Sequence, residues 1–215
     1  VIKKTDTDNG TSQVNKDKVK QYYSFHAQIY DVSRWSFLFG RKAILNMIPD
    51  LPPNPEIMEI GCGTGQNIRR LVNHFPDAQI LGIDLSGDML NVARNKLLDN
   101  SDQVDLLRAN YRSDQLNKES FDLILLSYSL TMIEGRLKDL LVQITGHLKP
   151  NGYVAIVDFH TSPFAWFRRW MAMNHVNLNR SLLSMLQKHF CPVKTEVNQA
   201  YAGLWSYFLY LGKQN

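Results

Sequence analysis

The chain has 215 residues, 24 of them Lys or Arg against 20 Asp or Glu, for a formal net charge of +4, with 44% hydrophobic and 20% charged residues. That balance suits one soluble globular domain with a full core and excludes a disordered or low-complexity protein. The opening residues hold no apolar stretch, and the longest nearly apolar run, LILLSYSLTMI (123–133), is too short and too polar for a bilayer. Neither a secretory signal nor a membrane span is expected.

In chain order, residues 1–13 read as a flexible polar leader. Val14 to Ile48 has a helical pattern rich in aromatic residues, among them Tyr22, Tyr30 and Trp35. The prolines of PDLPPNPE (49–56) then deny backbone donors and end it. EIMEI is a short strand, followed by a helix whose Ile68, Leu71, Val72 and Phe75 share one face. QILGID is the next strand, with Ser86 placed to cap a helix carrying Met89, Ala93 and Leu97. VDLL (104–107) and FDLILL (121–126) are further strands. Leu137, Leu140, Leu141, Ile144 and Leu148 form an amphipathic helix face closed by KPNG, and YVAIVDF (153–159) is a buried strand. Such alternation predicts an α/β fold, a mostly parallel sheet covered by helices on both faces. After a helix over Ser181–Phe190, PVKTEV and WSYFLYLG are joined too closely for a crossover, so they are expected to pair antiparallel at the sheet edge.

The charge is uneven. From Phe159 through Thr195 there is no acidic residue, while Arg168, Arg169, Arg180, Lys188 and Lys194 put the whole positive excess there. The two cysteines, Cys62 and Cys191, read as free thiols of a reducing compartment, which makes the location cytoplasmic. Cys and His do not cluster as at a zinc site, and no metal is expected.

The glycine loop, IMEIGCGTGQNI (57–68), narrows the ligand. Gly61, Gly63 and Gly65 give G-x-G-x-G, where a dinucleotide fingerprint is G-x-G-x-x-G, and no Lys-Ser/Thr follows to make a phosphate loop. Glu59, two residues before the first glycine, opposes a pyrophosphate but suits an ammonium group. Asp84 ends the second strand 23 residues after Gly61, at the expected position for an acceptor of ribose hydroxyls. An adenosine with a ribose, no phosphate and a cationic amino-acid tail is S-adenosylmethionine.

EIGCGTGQN, GIDLS, FDLILL and LKPNG, in this order over roughly residues 55–160, resemble the successive motifs of class I S-adenosylmethionine-dependent methyltransferases. The resemblance implies a Rossmann-like seven-stranded sheet with an antiparallel last strand. Carried over, Glu59 would orient the methionyl amine, while Gly61, Cys62, Gly63 and Gly65 would let the backbone approach. Asp84 would take both ribose hydroxyls, Leu85 and Met89 would line the adenine, and Ser127 would face the methionyl part. ANY (109–111) puts Asn110 where the family often has an acidic residue for the adenine amino group, with Tyr111 beside it.

Two aromatic stretches, YYSFHAQIYDVSRWSFLFGRKAI and FHTSPFAWFRRWMAMNHVN, resemble the branch that N-methylates lipid head groups, the phosphatidylethanolamine and betaine-lipid (diacylglyceryl-homoserine) enzymes. The expected product is a cytoplasmic methyltransferase, peripheral on the inner membrane, acting on a lipid or small-molecule amine. Its core at 55–160 would be flanked by an N-terminal helical lid at 14–48, a basic aromatic insertion and helix at 161–190, and an edge hairpin at 191–215. In the lid, Tyr22, His26 and Tyr30 would share one helix face near the sulfonium, and Arg34 would reach the cofactor carboxylate. Tyr22, Tyr128 and His160 are the candidates for contact with the acceptor amine, whereas His74, His147 and His189 read as surface or helix-end residues. In PFAWFRRWMAM, Phe164, Phe167 and Met171 fall at i, i+3, i+7, the composition of an interfacial helix.

A nucleic-acid methyltransferase is a weaker reading, because SYSL stands where such enzymes carry Asp/Asn-Pro-Pro-Tyr/Phe. A soluble methyltransferase acting on an amine or quinone precursor stays open, as does a non-catalytic cofactor-binding protein.

Overall fold

Apolar runs of strand length alternate with helical faces, and each run becomes the strand its burial on both sides requires. The structure, a computed structural model, describes residues 38–111, 116–132, 137–174, 176–178 and 181–214. The expected leader and most of the lid, with Tyr22, His26, Tyr30 and Arg34, lie outside the described residues.

Helix α1 (Arg41–Asn46) precedes the proline stretch. The core then runs β1 (Glu56–Ile60), α2 (Gln66–His74), β2 (Gln79–Asp84), α3 (Gly87–Lys96), β3 (Val104–Arg108), β4 (Phe121–Ser127), α4 (Leu137–His147) and β5 (Leu148–Thr161). Helices α5 (Ala165–Met173) and α6 (Ser181–His189) separate it from β6 (Cys191–Ala200) and β7 (Trp205–Lys213). The seven strands form one sheet in the order β3-β2-β1-β4-β5-β7-β6. Pairs among β1 to β5 are parallel, and β7 runs antiparallel between β5 and the outermost β6. The antiparallel last strand is therefore as expected, and the sheet has the Rossmann-like form.

Two apolar clusters cover its faces. On one, Ile57, Leu123 and Leu125 pack with Ile68 and Leu71 of α2, Leu90 and Ala93 of α3, and Phe167 and Met171 of α5. On the other, Met58, Ile124 and Leu126 pack with Leu140 and Ile144 of α4 and Leu186 of α6. Leu148 departs from its expected place on the helix. It opens β5 opposite Phe121, and a register shift between Phe121 and Leu123 absorbs the KPNG turn within the strand.

The period-2 alternation decides where the site can be. Glu59 has the parity of Ile57, Asp84 that of Ile80, and Ser127 that of Leu125, and those three apolar residues all lie in the first cluster. Strands β2, β1 and β4 are neighbours, so Asp84, Glu59 and Ser127 end up side by side on one face at the carboxyl ends. The order of connection reverses between β1 and β4, the position where open α/β sheets bind ligands.

Candidate active site

The glycine loop is held from below. The N–H groups of Gly61 and Cys62 both donate to the Ile83 carbonyl, at 2.8 and 3.0 Å, locking the loop to the end of β2. Gly63 has φ +54° and Gly65 φ +75°, left-handed backbone that side chains disfavour. A Cβ at Gly63 would meet nothing within 4 Å, so this glycine borders open space where a ligand can touch the backbone. Gly65 caps α2 without any side-chain hydrogen bond, leaving the helix N-terminus open.

Asp84 clamps this loop as well as lining it. Its Oδ2 accepts from the Gly63 N–H and its Oδ1 from the Ser86 N–H, both at 2.8 Å. Each oxygen keeps a lone pair, which leaves acceptors for a diol. Leu85 is exposed and Met89 half-buried beside it, and Asn110 lies exposed past the end of β3.

Glu59 is fully buried. Asn67 of α2 donates to its Oε1 at 2.7 Å, while Oε2 has no partner. Burial pushes its carboxyl up from the usual 4.5 to about 7, the Asn67 bond and the charges of Arg41 and Arg70 pulling back and Asp84 adding to the rise. The hydroxyls of Ser127 and Ser129 are likewise buried and unpartnered. Ser129 abuts the loop, since a Cβ on Gly61 would lie 3.0 Å from the Ser129 Cβ. Buried polar groups without partners are rare in folded proteins, and three at and just past the neighbouring ends of β1 and β4 make this the candidate ligand site.

The turn after β4 is fixed by Asp158. Its oxygens accept from Leu130 N–H (2.9 Å), Thr131 N–H (3.2 Å), the Thr131 hydroxyl (2.6 Å) and Phe159 N–H (2.8 Å). Burial still raises its carboxyl to about 6 against those four bonds. Asp158 thus positions the segment that carries Ser129.

Several expected site residues are placed elsewhere. Tyr128, at φ +56°, donates its hydroxyl proton to the Phe39 carbonyl at 2.7 Å and packs its ring edge-on against Phe159. Burial pushes that phenol well above its ordinary range, so it ties residue 39 to β4 and is not a base. His160 packs edge-on against Phe208, a member of the cluster on the other face. Tyr111 also faces that side and hydrogen-bonds His147 Nδ1. His147 does end a helix but is buried, because Tyr111 gives its ring a polar partner in the core. Cys62 is buried, and its thiol is pushed up by that burial and by the nearby Glu59 and Asp84 charges, which leaves it inert. Asn67, Ser129 and Arg41 were not anticipated. Asn67 could have been suspected as a polar residue beside Ile68 on the sheet-facing turn of α2; Ser129 had no signal.

The residues present fit S-adenosylmethionine. The unpartnered buried carboxylate oxygen of Glu59 could accept from an ammonium group, Asp84 retains acceptors that a diol could use, and a Cβ at Gly63 would meet nothing within 4 Å.

Residues 58–154 match the family model described as "Methyltransferase domain". The chain is 28% identical over 153 residues to a malonyl-[acyl-carrier protein] O-methyltransferase of Priestia megaterium, covering 70% of this chain and 54% of that protein. Geranyl diphosphate C-methyltransferase from Streptomyces coelicolor, solved with Mg2+, geranyl diphosphate and S-adenosyl-L-homocysteine, superposes with TM-score 0.70 at 14% identity, covering 81% of this chain and 79% of that one. Phosphoethanolamine N-methyltransferase 2 of Haemonchus contortus, solved with S-adenosyl-L-methionine, gives TM-score 0.68 at 17% identity, covering 81% of this chain and 52% of that one. The chain spans about half the length of the curated relatives it matches. Residues 58–154 thus resemble a methyltransferase domain, and the chain has the Rossmann-like fold of the solved methyltransferases.

Proposed function

We propose that the protein transfers a methyl group from S-adenosylmethionine to an amine of a lipid head group at a membrane surface. The observation that carries the methyl-transfer reading is the trio of buried, unpartnered polar atoms, Glu59 Oε2, Ser127 Oγ and Ser129 Oγ, beside an open glycine loop. Glu59 Oε2 accepts from the ammonium group, Asp84 from the ribose hydroxyls, and Gly63 lets the ligand lie against the backbone. Ser127 and Ser129 satisfy polar groups of the methionyl part. When bound, the cofactor supplies an already activated sulfonium methyl group.

What remains for the protein is alignment and exclusion of water, and positioning alone can supply effective molarities of about 10⁵ M or more. A nitrogen acceptor agrees with the engagement of nearby groups. Asp158 is saturated by hydrogen bonds and Tyr128 has committed its proton, so neither serves as base. An acceptor amine would use its lone pair to displace the sulfonium, the methyl–sulfur bond breaking with its electron pair left on a thioether, and its proton would pass to water, so the chain need supply no base. Support for a lipid acceptor comes from the resemblance to lipid N-methylating enzymes and from the likeness in fold to a phosphoethanolamine N-methyltransferase. Among the described residues no helix is long and apolar enough to cross a membrane.

The test is incubation with radiolabelled methyl donor and a total lipid extract, followed by chromatography. Label in a lipid amine supports the reading, and label only in water-soluble products overturns the acceptor. Isothermal titration with S-adenosylhomocysteine tests the cofactor separately, and absence of binding would remove methyl transfer altogether.

A further inference from the structure

The helix α5 turns out to have two apolar sides. Phe167 and Met171 face inward, and the Phe167 ring stacks on Trp205 at 5.5 Å and 7°. The expected interfacial stripe of Phe164, Phe167 and Met171 is therefore mostly core. The other side carries Trp166, Trp170 and Met173, at i, i+4 and i+7, with exposures of 64%, 45% and 74%. Phe164, at the N-cap, adds a fourth large apolar group at 45%. Arg169 is exposed between the tryptophans in sequence, some 60° from Trp166 around the helix by the usual turn of ~100° per residue.

The base of α5 is fixed. Buried Ser162 donates to the Leu204 carbonyl at 2.6 Å and accepts from the Phe164 N–H at 3.1 Å. Arg168 donates to the Ser162 carbonyl at 2.7 Å, so one arginine braces the helix while its neighbour stays at the surface.

We propose that this outer face of α5 docks on an anionic bilayer, with Trp166, Trp170 and Met173 in the head-group layer and Arg169 on lipid phosphates. A bilayer is favoured over a protein partner by the side-chain set and the charge. Tryptophan, methionine and arginine on a short helix match the head-group region, where an indole keeps its body apolar and its N–H wet. No acidic residue lies between Phe159 and Thr195, so the field around the face attracts an anionic surface. The proposal deepens the lipid-acceptor reading, on which it rests, by naming the surface that would bring the pocket to its substrate.

The experiment is sedimentation of the full chain with vesicles of phosphatidylcholine, with and without phosphatidylglycerol, comparing wild type with Trp166→Ser/Trp170→Ser and with Arg169→Glu. All three side chains are exposed, so thermal unfolding and S-adenosylhomocysteine affinity serve as the fold controls. Expected is binding that prefers the anionic vesicles, falls about tenfold or more in the tryptophan pair, and weakens with salt and in Arg169→Glu. Wild-type tryptophan emission should also shift to the blue on binding. Failure to bind either vesicle, or binding indifferent to the tryptophan pair, overturns the proposal. So does a wild-type dimer that the tryptophan pair dissociates while vesicles are ignored, since a second copy would then cover the face. Methylation of detergent-dispersed lipid alongside any of these failures sinks the docking surface and leaves the acceptor intact; vesicle binding without lipid methylation does the reverse.

Discussion

Replacing Glu59 by Gln should move stability and cofactor affinity in opposite directions. The folded protein holds this carboxyl at about 7 against an ordinary 4.5, burial being the main cause. A raised carboxyl contributes stability that is complete below about pH 4.5 and lost as pH rises through about 7. The difference corresponds to about 3 kcal/mol of penalty once the group is fully charged in the free protein. Gln keeps an oxygen for the Asn67 donor and carries no charge, so at pH 8 the variant should unfold at higher urea concentration than wild type. The two curves should converge toward pH 5. S-adenosylhomocysteine affinity should instead fall by about 1.5–3 kcal/mol, tenfold or more, because a charge-assisted bond to its ammonium group is lost. In wild type that affinity should rise between pH 6 and 8 as Glu59 ionises, and the variant should be flat over this range. Urea unfolding across pH and calorimetric titration read both effects. A Glu59→Gln protein less stable than wild type at pH 8 would refute the reasoning, since the carboxylate would then be compensated within the protein and not held for a ligand.

Gly63→Ala should weaken S-adenosylhomocysteine binding more than it lowers stability, because left-handed backbone costs only ~1 kcal/mol while the new methyl enters the ligand's space; calorimetry against thermal unfolding checks the split. Asp84→Ala should lower both, since the carboxylate also accepts from Gly63 and Ser86; an unchanged melting temperature would argue against the clamp. Asp158→Ala removes the acceptor of three N–H groups and of the Thr131 hydroxyl, and by urea unfolding should cost about 3 kcal/mol or more. Tyr128→Phe should cost about 1 kcal/mol and leave the shape of the pH–rate profile unaltered, whereas loss of a limb near neutral pH would restore the tyrosine as a base.

Much of the fold was legible because it is written in runs. EIMEI, QILGID, FDLILL and YVAIVDF have a strand's length and are apolar on both sides, and the short link before WSYFLYLG permits only a hairpin. What resisted reading was direction. Parity places Glu59, Asp84 and Ser127 on one face, and that could be counted along each strand. Tyr128 could not be placed that way, because it leaves the strand through positive φ and joins the first cluster, whereas His160 keeps the parity of Val154 and Ile156 and with them the other face, even at the register shift between Phe159 and Thr161. Tyr111, past the end of β3, keeps the parity of Leu107 and Ala109 and packs with them in the second cluster. On α5 the spacing was right but its sense reversed, since only Trp205 stacking on Phe167 decides which apolar side is core.

The hydrogen bonds around the crevice divide the polar groups into those that build it and those it leaves for a ligand. Asp158 accepts four bonds, from Leu130 and Thr131 of the turn after β4 and from Phe159, and Tyr128 donates its hydroxyl proton to the carbonyl of residue 39. Asp84 gives one bond per oxygen and retains the rest, and Glu59, Ser127 and Ser129 each leave an atom unpartnered. Leaving polar atoms buried and unsatisfied destabilises the free protein, typically by ~1–3 kcal/mol each. Among the described residues of this crevice, that strain falls on Glu59, Ser127 and Ser129, while Asp158 beneath them is saturated. A site arranged so needs little reorganisation when it binds, and for a reaction governed by alignment, a donor held by a rigid crevice is most of the catalysis.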